Sequence, residues 1–225
     1  MPNNNLNISR VTRSKEDAAA AYDKMSKWYD LMTGRFEKKY TDAGLEKLKA
    51  RPGEHILEIG FGTGHSILTL ARSVGDSGKI YGIDISEEMC KLSRSRIEKA
   101  GMSDRVSLTR GDAARLPFDP AVFDAVFISF TLELFDTPEI PVVLSECRRV
   151  LKDSGRIGVV SLSKQKKTSV RIYEWFHKVM PGVVDCRPIY LQRSLEDAGF
   201  QLRDVSEISM WGLPVDVVLA EKKQT

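Results

Sequence analysis

The sequence has no long hydrophobic run. No stretch approaches the roughly 18 consecutive apolar residues that a membrane-spanning helix needs, so a chain that does not cross a bilayer is expected. The opening MPNNNLNISR is polar and lacks the apolar centre of a secretory leader. A cytoplasmic protein is the corresponding expectation. Cysteine is scarce: Cys90, Cys147 and Cys186 stand far apart, without the paired spacing of a disulfide framework, a redox motif or a zinc site. Free thiols in a reducing compartment fit that pattern. His55, His65 and His177 are equally scattered, and no metal is expected. Charge of one sign is not in excess either. The 34 Lys and Arg residues against 31 Asp and Glu leave a net +3, whereas a nucleic-acid partner calls for a concentrated basic face. Neither an internal repeat nor a low-complexity segment is present.

What is present is an ordinary globular mixture: 225 residues, 42% hydrophobic and 29% charged, enough for one domain with a sizeable core. From about residue 15 to residue 50 the pattern is helical, with Ser14 as a capping candidate. Tyr22, Met25, Trp28 and Tyr29 share one face of that stretch. The face either packs on the main domain or covers a site. RPGE at Arg51 breaks the run. Short apolar runs then alternate with amphipathic segments. HILEIG, KIYGIDI, VSLTRGD, FDAVFISF and GRIGVVSLS read as strands. Gly64–Val74, Ser86–Gly101 and Pro138–Lys152 read as helices between them. Two further helices are expected, KKTSVRIYEWFHKVM and PIYLQRSLEDAGF, before a hairpin of QLRDVSEISMWG and PVDVVLAEK joined at GLP. The β-α-β-α rhythm predicts an α/β fold: an open, mostly parallel sheet with helices on both faces and an antiparallel pair at one edge.

The chemistry-bearing stretch is HILEIGFGTGHS, residues 55–66. In an open parallel sheet ligands bind past the carboxyl ends of the strands. A glycine-rich turn there admits close backbone approach, and the next helix offers free N–H groups. The spacing of Gly60, Gly62 and Gly64 is G-x-G-x-G, not the G-x-G-x-x-G of a dinucleotide site. No Gly-Lys-Ser/Thr follows, as a P-loop requires. Asp84 ends the second strand 20 residues after Gly64, the place from which an acid accepts ribose hydroxyls. Asp112 ends the third, where an acid can accept from an adenine amine. Together these point to an adenosine-like ligand.

The ordered set EIGFGTGHS, GIDIS, GDAARLPF, FDAVFISF and ECRRVLKDSGRI resembles the class I S-adenosylmethionine (SAM)-dependent methyltransferases over roughly Tyr22 to Ser163. The resemblance implies a Rossmann-like sheet of seven strands with the last inserted antiparallel. It implies SAM as cofactor, with S-adenosylhomocysteine as product. Gly60, Gly62 and Gly64 would then surround the methionine moiety, with Glu58 supporting them. Asp84 would hold the ribose, Ile85 and Met89 would flank the adenine, and Asp112 and Ala113 would meet its edge. Ser129 and Tyr22 join the cofactor set, and Tyr29 and Glu133 are the catalytic candidates. The expected division is a helical cap or lid over 1–50 and a SAM-binding domain over 51–225, with 164–198 as an insert on the substrate side.

General motifs reveal the cofactor better than the acceptor. After the fourth strand comes SFTLELF, apolar with one acid, and no Asn/Asp-Pro-Pro-Tyr of the amino-group methylating enzymes. AYDKMSKWYDLM and ISFTLELF resemble the ubiquinone/menaquinone-biosynthesis C-methyltransferases. That family carries an arginine after the fourth strand, and the matching position here is Glu133. The YDLM-x-GR start also resembles small bacterial phosphatidylethanolamine N-methyltransferases. A small apolar or aromatic, quinone- or phenol-like acceptor is therefore expected, with a lipid amine as the alternative. A SAM-binding sensor without turnover and an NAD-dependent oxidoreductase are the other readings, the last disfavoured by the glycine spacing. The basic group Lys164, Lys166, Lys167 and Arg171 is a solvated loop or a contact with anionic lipid at the membrane surface. His65 and His177 are read as surface or packing residues. Monomer and homodimer both stay open.

Overall fold

The computed structural model describes residues 35–165 and 187–223, together with positions 20 and 170. Its helices are α1 (Arg35–Leu48), α2 (His65–Val74), α3 (Glu87–Lys99), α4 (Ile140–Val150) and α5 (Leu191–Asp197). The strands are β1 (His55–Ile59), β2 (Lys79–Asp84), β3 (Val106–Arg110), β4 (Phe123–Ser129), β5 (Leu151–Leu162), β6 (Phe200–Met210) and β7 (Leu213–Lys222). They form one seven-stranded sheet in the order β3-β2-β1-β4-β5-β7-β6. The pairs from β3 to β5 are parallel, and β7 runs antiparallel between β5 and β6.

The central strands are apolar on both faces because helices cover both. On one side α1, α2 and α3 bury Tyr40, Leu48, Ile67, Leu70 and Ile97 against Ile56, Ile80, Phe127 and Val160. On the other, α4, α5 and the loop after β3 bury Val143, Leu144, Leu195 and Leu116 against Leu57, Ile83, Val126 and Val159. Strand order reverses between β1 and β4. The segments that leave these two strands therefore part to opposite sides and open a crevice at the carboxyl edge.

Helix α1 belongs to this packing. A Cβ on Gly44 would stand 2.5 Å from the Val160 side chain, so the helix can approach the sheet only there without one. The carbonyls of Leu48 and Lys49 at its end accept from the Arg156 guanidinium, which also pairs with Glu54. The remainder of the expected cap, including Tyr22 and Tyr29, lies outside the described residues. So do His177 and most of the expected insert.

Three boundaries differ from the sequence reading. The hairpin turn is Trp211–Gly212, not GLP. Both residues have positive φ (50° and 82°), as a two-residue turn matched to strand twist requires, and Met210 pairs with Leu213. Helix α5 starts only at Leu191, because Ile189 is extended: its N–H and C=O pair with Leu162 and Lys164 of the sheet edge. Helix α4 stops at Val150, and β5 begins at Leu151, which pairs with Phe123 ahead of an irregularity in the ladder.

Candidate active site

The glycine turn links β1 to α2, and its three glycines all take positive φ: 70° at Gly60, 51° at Gly62 and 81° at Gly64. Side-chain-bearing residues adopt that region at a cost. Their surroundings differ. A Cβ on Gly60 would fall inside the Thr131 side chain, and one on Gly64 would lie 2.6 Å from Ser93 Oγ. A Cβ on Gly62 would meet nothing within 4 Å. Gly60 and Gly64 are thus required by packing, and Gly62 has open space where a side chain would stand.

The turn is held from below by α3. Ser93 Oγ donates to Gly62 O at 2.8 Å, and the Arg96 guanidinium donates to Thr63 O. With those carbonyls tied back, the concave side stays clear. At the end of β2 the Asp84 carboxylate accepts from Gly62 N–H at 2.9 Å and from Ser86 N–H at 3.0 Å. Ser86 caps α3 by accepting from Met89 N–H. Met89 is buried and Ile85 half-buried beside it.

Glu58 lies under the turn, 2% exposed. Ser66 donates to its Oε1, while Oε2 is buried with no hydrogen-bond partner. Burial pushes this carboxyl up to about 8, helped by the Asp84 charge and opposed by the Ser66 hydrogen bond. A buried acceptor in that condition is costly unless a donor arrives. The loop after β3 completes this half. Gly111 N–H donates to Asp84 O at 2.9 Å, and Asp112 Oδ1 accepts from Ala114 N–H at 2.9 Å. Ala113 is buried in the core.

The other half of the crevice begins at the end of β4. Ser129 shares a hydrogen bond of 2.8 Å with Thr41 of α1, so its hydroxyl is tied to the helix. Phe130 takes φ 48°, a strained value for a bulky residue of the kind that clusters at functional sites. Thr131 then touches the glycine turn, its hydroxyl 3.4 Å from Gly60 O. Glu133 follows on a single 3₁₀ turn, Leu132–Leu134, and is fully buried. Its Oε1 accepts from Leu162 N–H at 3.2 Å, and the neighbouring Ser161 hydroxyl donates to Leu162 O at 3.3 Å. Glu133 Oε2 has no partner. Burial raises Glu133 to about 7, against the lowering effect of its backbone hydrogen bonds. Arg187, buried, donates to Phe135 O and to Thr137 Oγ1, which fixes the end of the same turn.

Sequence reasoning missed Ser93, Arg96, Thr131, Ser161 and Arg187. Ser93 and Arg96 had a faint signal, one helical turn apart in the helix after β2. Arg187 had none, because only the folded chain brings it to Phe135. His65 is exposed, as expected for a surface residue.

The whole arrangement is rich in acceptors. Asp84 and Asp112 stand at the carboxyl ends of β2 and β3, with Glu58 buried under the turn between them, so this acid-rich half suits a ligand rich in donors and carrying positive charge. SAM brings such donors in its ammonium, two ribose hydroxyls and adenine amine, beside its sulfonium and its carboxylate. The ubiE/COQ5 methyltransferase family model matches residues 4–186. The demethylmenaquinone methyltransferase of Symbiobacterium thermophilum is 33% identical over 197 residues, 80% of this chain and 77% of that one. Two solved structures share the fold. The [4+2]-cyclase SpnF has a TM-score of 0.78 at 19% identity and covers 96% of this chain and 100% of its own. A SAM-dependent methyltransferase from Aquifex aeolicus has a TM-score of 0.67 at 23% identity, covering 88% and 97%. With the family matched over most of its length and a crevice suited to its cofactor, this chain belongs to the ubiE/COQ5 methyltransferase family and is a SAM-dependent methyltransferase.

Proposed function

We propose that the enzyme methylates a ring carbon of a small apolar aromatic acceptor of the quinol or phenol type, with Glu133 as the base. One observation carries this reading. Glu133 is a fully buried acid with a partnerless oxygen, on the turn whose Thr131 touches the glycine turn. A carboxyl raised to about 7 is suited to proton transfer near neutral pH.

SAM, when bound, supplies an electrophilic methyl group on a sulfonium. In our reading the backbone of Gly60, Gly62 and Gly64 shapes the floor under the methionine portion. Glu58 Oε2 meets the ammonium. Asp84 holds the ribose hydroxyls, Ile85 and Met89 flank the adenine, and Asp112 and Ala113 meet its edge. Ser129 acts through its tie to α1. Tyr22 is kept as a candidate for the cofactor and Tyr29 for the chemistry, and both lie outside the described residues. Glu133 accepts the acceptor's hydroxyl proton, which raises electron density on the neighbouring ring carbon. That carbon would take the methyl group as the C–S bond breaks; the ring carbon would then release its hydrogen as a proton to solvent, and Glu133 would return its proton to the ring oxygen. Glu133 thus takes the place where the resembling quinone enzymes carry an arginine, and it does so as a proton acceptor.

A demethylmenaquinone-type acceptor is lipid-soluble, so contact with a membrane surface belongs to the same reading. No helix among the described residues is long and apolar enough to cross a membrane. Trp211 is 74% exposed on the β6–β7 hairpin. β6 runs in the direction of β5, which brings that hairpin to the carboxyl edge of the sheet. An indole in such a place suits the bilayer interface. The test is transfer of isotope-labelled methyl from SAM to a naphthohydroquinone and to phosphatidylethanolamine vesicles, read by mass spectrometry. Label on a ring carbon is expected. Label on the head-group nitrogen would replace the reading with lipid N-methylation, and binding without any transfer would replace it with a sensor.

A further inference from the structure

Helix α4 carries a clamp that lies outside both the glycine turn and the Glu133 turn. Glu146 and Arg149 are three residues apart and so share a face. The guanidinium donates to both oxygens of Glu146, at 2.7 Å from Nε and 2.8 Å from Nη2. The paired groups then seize the loop that follows Asp112. Glu146 Oε2 accepts from Leu116 N–H at 2.8 Å. Arg149 donates to Phe118 O at 2.7 Å and to Leu116 O at 3.1 Å. Three backbone groups of one loop are thus held by two side chains of one helix. At its other end the same loop is tied to β2, where Gly111 N–H meets Asp84 O. Between these fixed points lie only Asp112–Arg115, with Asp112 folded onto Ala114 N–H.

The pair is well formed for the task. The guanidinium holds the Glu146 carboxyl below the usual range, and the carboxylate holds Arg149 above its own. Both side chains are partly exposed, so the ion pair itself contributes little to stability. What it fixes is geometry. Leu116 belongs to the same buried cluster as Ile83 and Ile128, and only four residues part it from the Gly111–Asp84 tie.

We infer that Glu146 and Arg149 are positioning residues for the cofactor: they set the distance between Asp84 and Asp112, and through it the recognition of the adenine ring. The inference rests on the proposed roles of Asp84 and Asp112. The pair touches no reacting atom and should leave the acceptor side alone. Lysine cannot replace the arginine, since an ammonium offers three donors from one point, whereas the guanidinium makes these four hydrogen bonds from three separated nitrogens.

The experiment measures binding of S-adenosylhomocysteine and of its deaminated analogue S-inosylhomocysteine by calorimetry, with steady-state kinetics and melting temperature alongside. For wild type we expect the adenine form to bind more tightly by about tenfold, the value of one well-made hydrogen bond to a charged group. For Arg149→Ala and Glu146→Gln we expect that preference to shrink by several-fold. KM for SAM should rise about tenfold while kcat at saturating SAM stays within about twofold. Arg149→Lys should recover only a small part. A lowered melting temperature with the adenine preference and KM intact would overturn the inference and leave the pair a structural tie. Asp112→Asn separates the two levels of argument. If wild type shows the preference and Asp112→Asn retains it, the proposed role of Asp112 has failed. If Asp112→Asn loses it and Arg149→Ala retains it, only the clamp has failed.

Discussion

Replacing Gly62 by alanine separates a glycine kept for the ligand from glycines kept for the fold. The backbone there has φ 51°, and an added Cβ meets no protein atom within 4 Å. The folding cost is therefore left-handed strain alone, about 1–2 kcal/mol. Gly101 is the matched control: it has φ 66°, and its Cβ would also meet nothing within 4 Å, at the end of α3. Both alanine variants should lose similar stability in urea titrations. They should part in binding. If SAM lies on the open side of Gly62, a methyl group there intrudes on the ligand, and affinity should fall at least tenfold, or about 1.4 kcal/mol. Gly101→Ala should bind as wild type does. Gly60→Ala and Gly64→Ala should cost more stability than either, because their new Cβ atoms collide with Thr131 and Ser93, and overpacking of this kind costs about 1–3 kcal/mol beyond the strain. Calorimetric titration with S-adenosylhomocysteine is the assay. Wild-type affinity in Gly62→Ala, with stability reduced as in Gly101→Ala, would refute the assignment of that space to the cofactor.

Asp84→Ala removes the acceptor assigned to the ribose and should weaken SAM binding by roughly 1.5–3 kcal/mol; an unchanged dissociation constant would take Asp84 out of that role. Glu133→Gln should leave SAM affinity alone and abolish the rise of kcat through about pH 7 that an ionising base produces. Because the folded pKa of Glu133 is raised from 4.5 to about 7, wild type binds the extra proton when folded and loses stability as pH climbs through that window. Glu133→Gln should therefore gain on wild type in melting temperature between pH 5 and pH 8 in round terms, and a constant difference across that range would mean the group is not raised. Trp211→Ser should keep folding stability within about 0.5 kcal/mol and reduce cosedimentation with anionic vesicles; equal cosedimentation would place the membrane contact elsewhere.

The half of the site built on β1, β2 and the loop after β3 was legible because its constraints are local. A glycine that needs positive φ, an acid at a strand end and a serine that caps a helix each act within a few residues of their own position. Gly60, Gly62, Gly64, Asp84 and Ser86 therefore stand out in a single chain. The strands were legible for the same reason, since a strand buried on both faces is an apolar run wherever it occurs. Boundaries slipped where tertiary contacts decide them. Ile189 is extended because the free edge of β5 beyond β4 needs a partner, which no pattern within PIYLQRSLEDAGF announces. The hairpin turns at Trp211–Gly212 because the register of β6 on β7 puts Met210 opposite Leu213. Arg156, Arg187 and the Glu146–Arg149 pair hold distant backbone groups, and a single sequence carries no sign of which carbonyl a long side chain will reach.

The same division runs through the chemistry. The reversal of strand order between β1 and β4 puts the cofactor-side acids on β1, β2 and β3 and puts Glu133, Ser161 and Arg187 on the β4–β5 side. The halves touch where Thr131 meets Gly60. SAM is a constant ligand, so the residues on its side are answerable to one fixed shape and one charge distribution. The acceptor side answers to a ligand that differs between enzymes sharing this fold. Glu133 stands on that side, at the position where resemblance to the quinone enzymes leads one to expect an arginine. Its side chain cannot serve as a cation there. Fully buried, with one oxygen bonded to Leu162 N–H and the other without a partner, it is stable only when it holds a proton or meets a donor. The base proposed above meets that requirement in each cycle, when it takes the proton of its substrate.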